Sequence, residues 1–531
     1  MPHPVTHLSA LARCRALGVA GVLLLALGAA GTGALPSRNP FPALVALDEV
    51  RHYPGPALVC ASFGLALLVA AWWRLGGLVR GDHPPTPGAL LVTLTLWAAP
   101  LLVAPPMFSR DVYSYLAQGA MVGAGLDVYE QGPATLGGPL AAEVPAIWQH
   151  TTTPYGPVFL LLATAVAAVT GTQLALGVIG LRLVAAAGVL LLAAVLPSLA
   201  RRCGVDPAAA LWLGVLNPLV LIHLVGGAHN DALMVGLLGA GLATAMARHP
   251  ALGTALLTLA ALVKAPAVVA LVFVAPLWAG QLAGRWRTPR ALAGTAVVAI
   301  GTTVAVTALA GTGYGWIAAL DTPVSAANWS LSSALGRATR ALLELIGADV
   351  APHAVSFWRW AGLAVALAAG LLLWLRRDEL GPVYALGLGL GALVLFGPAI
   401  RPWYLLWGLV PVAAAAAEGR LRRWAALACA GLAVIILPDG FAPGIAELGQ
   451  ALLGGGLAAL LILAVRHRSR LGRHLTTTYL LLLRFAAGLL LRPAPAAAAD
   501  HRRAAEPLTV EHDVAHRPRP APTPSPSRGT R

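Results

Sequence analysis

Long apolar runs, each closed by a short polar turn, set the pattern of this chain. The runs lie near 17–35, 57–73, 88–105, 174–197, 207–225, 231–247, 250–263, 265–283, 290–310, 358–375, 381–397, 402–418, 424–438 and 444–465. About 20 apolar residues cross a bilayer as a helix, so this is the pattern of roughly 13–14 transmembrane spans. The runs are continuous rather than alternating, which excludes a membrane β-barrel. The predicted class is all-α: a polytopic transmembrane helix bundle.

Arginines supply the orientation. They gather in alternate turns, such as those holding Arg74 and Arg80, Arg201 and Arg202, Arg285 to Arg290, and Arg420 to Arg423. By the positive-inside rule these turns face the cytoplasm, as do both termini. The segment 106–154 carries Asp111, Asp127, Glu130 and Glu143 against one arginine, and therefore faces outward. Arg201 and Arg202 stay inside only if the run 155–170 does not span, so it is read as a re-entrant or interfacial helix. Four segments result: N-terminal transmembrane helices over 1–105, an extracytoplasmic loop with juxtamembrane helices over 106–173, and a transmembrane core over 174–470. The fourth, 471–531, is an interfacial helix followed by a disordered cytoplasmic tail rich in Pro, Ala, Arg and Ser.

Composition agrees with this picture. Hydrophobic residues make up 58% of the 531 and charged residues only 11%, against about 25% charged in a soluble domain. The formal net charge of +15 would suggest nucleic acid in a soluble protein; here it marks the cytoplasmic turns, and no nucleic-acid partner is expected. Cys14, Cys60, Cys203 and Cys429 are widely spaced and form neither a zinc motif nor a disulfide framework. P-loop, GxSxG, HExxH and dinucleotide-binding patterns are absent in usable contexts.

The remaining polar groups collect at outer boundaries. In Phe108-Ser-Arg-Asp-Val-Tyr-Ser-Tyr115, Asp111 is placed at headgroup level, with Tyr113 and Tyr115 beside it. It is either a general base or the cap of a juxtamembrane helix. Asp127 and Tyr129 in Gly125–Pro133, with Tyr155 in Thr153–Pro157, suit a sugar-binding wall or an interfacial aromatic belt. His229, Asn230 and Asp231 crowd one turn, as a polar site or as a helix start. Lys264 is the only lysine; it either snorkels to the interface or meets a phosphate. Arg401, with Trp403 and Tyr404 in Ile400–Trp407, offers the same choice, and a guanidinium suits phosphate. No metal site is expected.

These segments in this order resemble the actinobacterial α-(1→6)-mannopyranosyltransferases that use polyprenyl-phosphomannose, within the GT-C class of integral membrane glycosyltransferases. The likeness runs over SRDVYSY, GLDVYEQGP with TPYGP, NPLVLIHLVGGAHND and RPWYLLW, from about 90 to 440. The resemblance implies an inverting transfer of mannose from polyprenyl-phosphomannose to an α-1,6-mannan, the lipomannan or lipoarabinomannan core. The donor is lipid-linked, the acceptor a mannan or a phosphatidylinositol-mannoside-type lipid, and no cofactor is required. The resemblance also implies that the acid of the early outer loop, Asp111 by position, is the catalytic base. On the residues, Lys264 and Arg401 would bind the donor phosphate. Tyr113, Tyr115, Asp127, Tyr129, Tyr155, His229, Asn230, Asp231, Trp403 and Tyr404 would bind sugar or acceptor. The competing class is a secondary transporter or flippase for a lipid-linked sugar, which would need ionisable groups near the bilayer midplane.

Overall fold

In the computed structural model, residues 4–37, 39, 45–318 and 328–467 are described. The interfacial helix and tail expected beyond 470 lie outside them. Among the described residues there is no strand, and seventeen α-helices have eight residues or more. They are α1 (Pro4–Thr32), α2 (Pro54–Val79), α3 (Pro87–Val103), α4 (Asp111–Gly123), α5 (Pro157–Thr170) and α6 (Leu174–Arg202). Then follow α7 (Pro207–Gly214), α8 (Asp231–Met246), α9 (Pro250–Val263), α10 (Val269–Ala279) and α11 (Arg287–Ala310). The series closes with α12 (Leu331–Leu345), α13 (Ala354–Leu375), α14 (Pro382–Phe396), α15 (Leu405–Ala415), α16 (Arg420–Ala433) and α17 (Ile445–His467).

The protein is a polytopic helical membrane protein. Six helices are individually long and apolar enough to cross a bilayer: α1, α2, α6, α11, α13 and α17. The other apolar helices have between 10 and 17 residues. A 14-residue helix such as α5 or α9 rises only about 21 Å, short of the ~30 Å hydrocarbon core. The run read as one span over 207–225 is interrupted over 215–217, just before Pro218, and continues into a π-helix, Val220–Gly226. That π-helix meets α8 at 112°. Pro266 likewise follows a break at Lys264, between α9 and α10. Interrupted helices at membrane depth are tolerated where other protein covers them, and His223, His229 and Asp231 are all fully buried.

Large apolar side chains cover the outward faces of α11 and α13. Leu292, Val297, Ile300 and Leu309 of α11 and Phe357, Trp360, Leu367 and Leu375 of α13 are exposed, as lipid-facing positions must be. Inside the bundle, glycines let backbones approach. A Cβ on Gly188 of α6 would lie 2.5 Å from the carbonyl of Ala232, and one on Gly236 would lie 2.4 Å from Gly188 O. This small-residue crossing sets α8 on α6 and thereby fixes where Asp231 emerges. Trp72 and Trp212 lock α2 to α7: their rings stack at 5.0 Å, and each indole N–H donates to the other's carbonyl, at 3.0 and 2.9 Å.

Gly188→Val puts a branched side chain against backbone that has no rotamer to yield. A loss of about 1–3 kcal/mol is expected, read as a lower melting temperature in detergent. A variant as stable as wild type would refute the close α6–α8 crossing.

Candidate active site

Two left-handed, non-glycine residues frame the site. Phe108 has φ +63 and Ala228 has φ +55. Such conformations cost of order 1–3 kcal/mol and persist where the surroundings over-determine them. Phe108 donates its N–H to Pro438 O at 2.6 Å and sets its ring edge-on to His223 at 5.6 Å. Each is followed within three residues by a candidate site residue: Asp111 in one case, His229 to Asp231 in the other.

Asp111 is the first residue of α4, and the position before it is Arg110, whose side chain makes no cap bond. Its amide donates to the Ser109 hydroxyl at 3.1 Å. Ser109 thus takes one amide of the helix start, and the Asp111 carboxylate is 27% exposed, 3.7 Å from His229 Nδ1. Tyr115, one turn on, brings its hydroxyl 3.2 Å from the same nitrogen. Burial pushes the Asp111 carboxyl above its usual value of 3.8, and the charges of Arg401 and Lys264 oppose that rise.

Asp231 opens α8 but does not cap it either. It is fully buried. One oxygen accepts from Lys264 Nζ at 2.7 Å and the other from Trp407 Nε1 at 2.6 Å. Lys264 also lies over the rings of Tyr404 at 4.8 Å, Trp407 at 5.6 Å and Tyr155 at 5.8 Å, a cation–π box. Gly156 makes this approach possible, since a Cβ there would lie 2.2 Å from Leu262 O. Trp403 stacks on His229 at 3.8 Å, and Tyr404 on Trp407 at 4.2 Å. Arg401 is partly exposed and has no carboxylate partner among the described residues.

Most of the residues singled out from the sequence therefore meet: Asp111, Tyr115, Tyr155, His229, Asp231, Lys264, Arg401, Trp403 and Tyr404 come from five separate stretches. Asn230 lies among them, buried, with neither amide atom partnered. Three others are placed elsewhere. Tyr113 is buried and donates to Ala34 O at 2.6 Å. Asp127 is exposed and accepts from the Tyr129 amide at 2.9 Å, closing a turn. Tyr129 donates to Tyr155 O at 3.0 Å, so it braces the TPYGP loop from behind. Asp231 has both oxygens engaged by protein, and Lys264 is already ion-paired rather than a free cation. Trp407 joins the site without having been expected there; its position three residues after Tyr404, one turn on, is the signal in the sequence. Among the described residues, no three of His, Cys, Asp and Glu gather as metal ligands.

Family models match almost the whole of this framework. Residues 15–280 match the α-(1→6)-mannopyranosyltransferase N-terminal domain, and residues 332–491 the MptB C-terminal domain. The chain belongs to the α-(1→6)-mannopyranosyltransferase family. It is 37% identical over 446 residues to α-(1→6)-mannopyranosyltransferase A of Mycobacterium tuberculosis, covering 80% of this chain and 84% of that protein. A second α-(1→6)-mannopyranosyltransferase of that organism is 35% identical over 495 residues, covering 80% and 82%. α-(1→6)-Mannopyranosyltransferase B of Corynebacterium glutamicum is 30% identical over 486 residues, covering 85% and 81%. No solved structure matches the chain. Mannosyl transfer is thus the chemistry of this membrane enzyme.

Asp231→Asn removes the anion that compensates Lys264. Breaking a buried pair from one side costs about 3–5 kcal/mol, so a clear fall in thermal stability is expected. Asp231→Asn with Lys264→Met should recover part of it, because no charge is then stranded. A double variant no better than the single one would remove the ion pair from the account.

Proposed function

We propose that this mannosyltransferase takes mannose from polyprenyl-phosphomannose and adds it, with inversion, to a growing α-1,6-mannan at the outer face of the plasma membrane. The observation that carries the reading is the Asp111 carboxylate, partly open to solvent and under the charges of Arg401 and Lys264. A base beside cations is what such a transfer requires. The acceptor hydroxyl attacks the anomeric carbon while the bond from that carbon to the phosphate oxygen breaks. The hydroxyl proton goes to Asp111, and the electron pair leaves with polyprenyl phosphate.

Arg401 is the cation free to meet the donor phosphate, and its planar fork suits two phosphate oxygens. Lys264, neutralised by Asp231, adds a dipole and holds Tyr155 and Tyr404 around the sugar. Stabilising charge as it develops on a leaving phosphate is commonly a large share of catalysis. Trp403 and Tyr115 back His229, which in turn sits against the base. The outward orientation rests on the arginine bias of the turns. The acceptor would be a mannan or phosphatidylinositol-mannoside-type lipid, and with a lipid-linked sugar as donor no cofactor is needed.

Asp111→Asn keeps shape and hydrogen-bonding capacity but not basicity. Purified in detergent and assayed with polyprenyl-phosphomannose and a short α-1,6-mannoside, it should fold normally and lose about 10²–10⁴ in turnover. Transfer within threefold of wild type would remove Asp111 from the mechanism. A different acceptor product in the wild-type assay would revise the substrate alone.

The pH profile offers a separate check. A base works deprotonated, so turnover falls as pH drops through the Asp111 pKa, which burial raises. Arg401 lowers that pKa, so Arg401→Gln should move the acid limb of the kcat profile to higher pH, besides lowering kcat. A limb that stays in place or moves to lower pH would mean that the titrating group is not Asp111.

A further inference from the structure

Arg182 lies inside α6, 1% exposed, in an otherwise apolar stretch. No carboxylate pairs with it among the described residues. Its guanidinium instead donates to three backbone carbonyls. Nη1 reaches Leu102 O at 3.0 Å and also Ala104 O, and Nη2 reaches Gly226 O at 2.8 Å. Leu102 and Ala104 end α3, four residues before the left-handed Phe108 and seven before Asp111. Gly226 ends the π-helix, two residues before the left-handed Ala228 and three before His229.

One side chain therefore grips both peptide segments that deliver the site, each just upstream of its strained residue. Helix ends leave carbonyls without intrahelical partners, and a guanidinium presents five donors in a rigid fork. Neither an alkyl side chain nor a single ammonium spans three carbonyls from two segments. We propose that Arg182 is a positioning residue: it sets the Phe108–Asp111 segment against the Ala228–Asp231 segment, and so fixes the distance between Asp111 and His229. This rests on the reading of Asp111 and its neighbours as the active site.

The protein contains its own control. Arg422, at the start of α16 and 2% exposed, donates to Ala413 O at 3.2 Å, Ala416 O at 3.0 Å and Ala209 O at 2.8 Å. It grips three carbonyls in the same way, with an added ion pair from Nε to Glu418 at 3.2 Å, and it sits where α15 ends and α7 begins. A purely structural role for Arg182 predicts that substitutions at both arginines act through stability alone and leave turnover per folded molecule alike.

The test compares full-length Arg182→Met, Arg182→Lys and Arg422→Met with wild type, each purified in detergent and matched by folded fraction. Hydrogen–deuterium exchange is the first readout and needs no substrate. Arg182→Met should speed exchange in 105–111 and 226–231 together, and Arg422→Met in neither. Turnover with polyprenyl-phosphomannose and a short α-1,6-mannoside is the second. A displacement of about 1 Å can cost roughly 10²-fold. Arg182→Met should accordingly lose about 10- to 100-fold in kcat with KM within threefold, Arg182→Lys should fall between, and Arg422→Met should stay within threefold per folded molecule. Unchanged exchange at both segments, or equal kcat losses in Arg182→Met and Arg422→Met, overturns the proposal. If Arg182→Met does not fold, Arg182→Lys decides: wild-type exchange and kcat there overturn it equally. Asp111→Asn, run alongside, separates the two readings, because an active Asp111→Asn removes the site assignment while the exchange result still judges the staple.

Discussion

Asp231 has no contact with water, and an unpaired carboxylate at that depth would be among the most unfavourable groups in the protein. Its two partners decide much of the site. Lys264 comes from the break between α9 and α10, and Trp407 from α15. The need to neutralise one buried charge thus draws three parts of the bundle to a point. Around the paired ammonium the rings of Tyr155, Tyr404 and Trp407 close in. They exclude solvent and so strengthen the ion pair that holds them there.

The interruptions of the helices follow from the same constraint. An interruption lets side chains converge from its ends, and such breaks are tolerated at membrane depth where protein covers the freed backbone groups. Here the chain stops being regular at Ala104–Arg110, Gly227–Asn230, Lys264 and Gly397–Arg401, and those are the stretches that carry or adjoin the site. The carbonyls released at two of these stops are taken up by Arg182. Close packing elsewhere, as at Gly188 against Ala232, keeps the remainder of the bundle rigid enough to hold the left-handed Phe108 and Ala228.

Much of this was legible in the sequence because lipid imposes simple rules. Apolar runs, arginine-marked turns and an acidic loop gave the helical membrane class, and four polar segments in a fixed order gave the family resemblance. Contacts across the bundle were not legible. Nothing in the spacing of Lys264 and Asp231 says that they pair, since 33 residues and two helix ends separate them. Tyr113 and Tyr115 look equivalent on paper, yet they lie about 200° apart around α4, one toward Ala34 and the other toward His229. Arg182 was present as a single charge within an apolar run, and its solitude was the signal. The amphipathic α12, with Leu331, Leu335, Leu342 and Leu345 along one exposed face, had the helical period in full but not the hydropathy of a span.

The division of labour between the two cations follows from their surroundings. Lys264 is a compact charge whose partner is permanent, so its net field beyond a few ångströms is that of a dipole. Arg401 has no carboxylate partner among the described residues, and its charge reaches further. A phosphate approaching the site would meet an unbalanced positive charge at Arg401 and a balanced pair at Lys264–Asp231. If both cations were free, the donor phosphate would be held tightly in the ground state and would gain less as its charge grows during bond cleavage. On the proposed reading, a single uncompensated guanidinium beside a dipole would leave more of the interaction to develop with the transition state. The same asymmetry serves Asp111. Each cation opposes the rise that burial imposes on its carboxyl, which favours the ionised form that the proposed base requires.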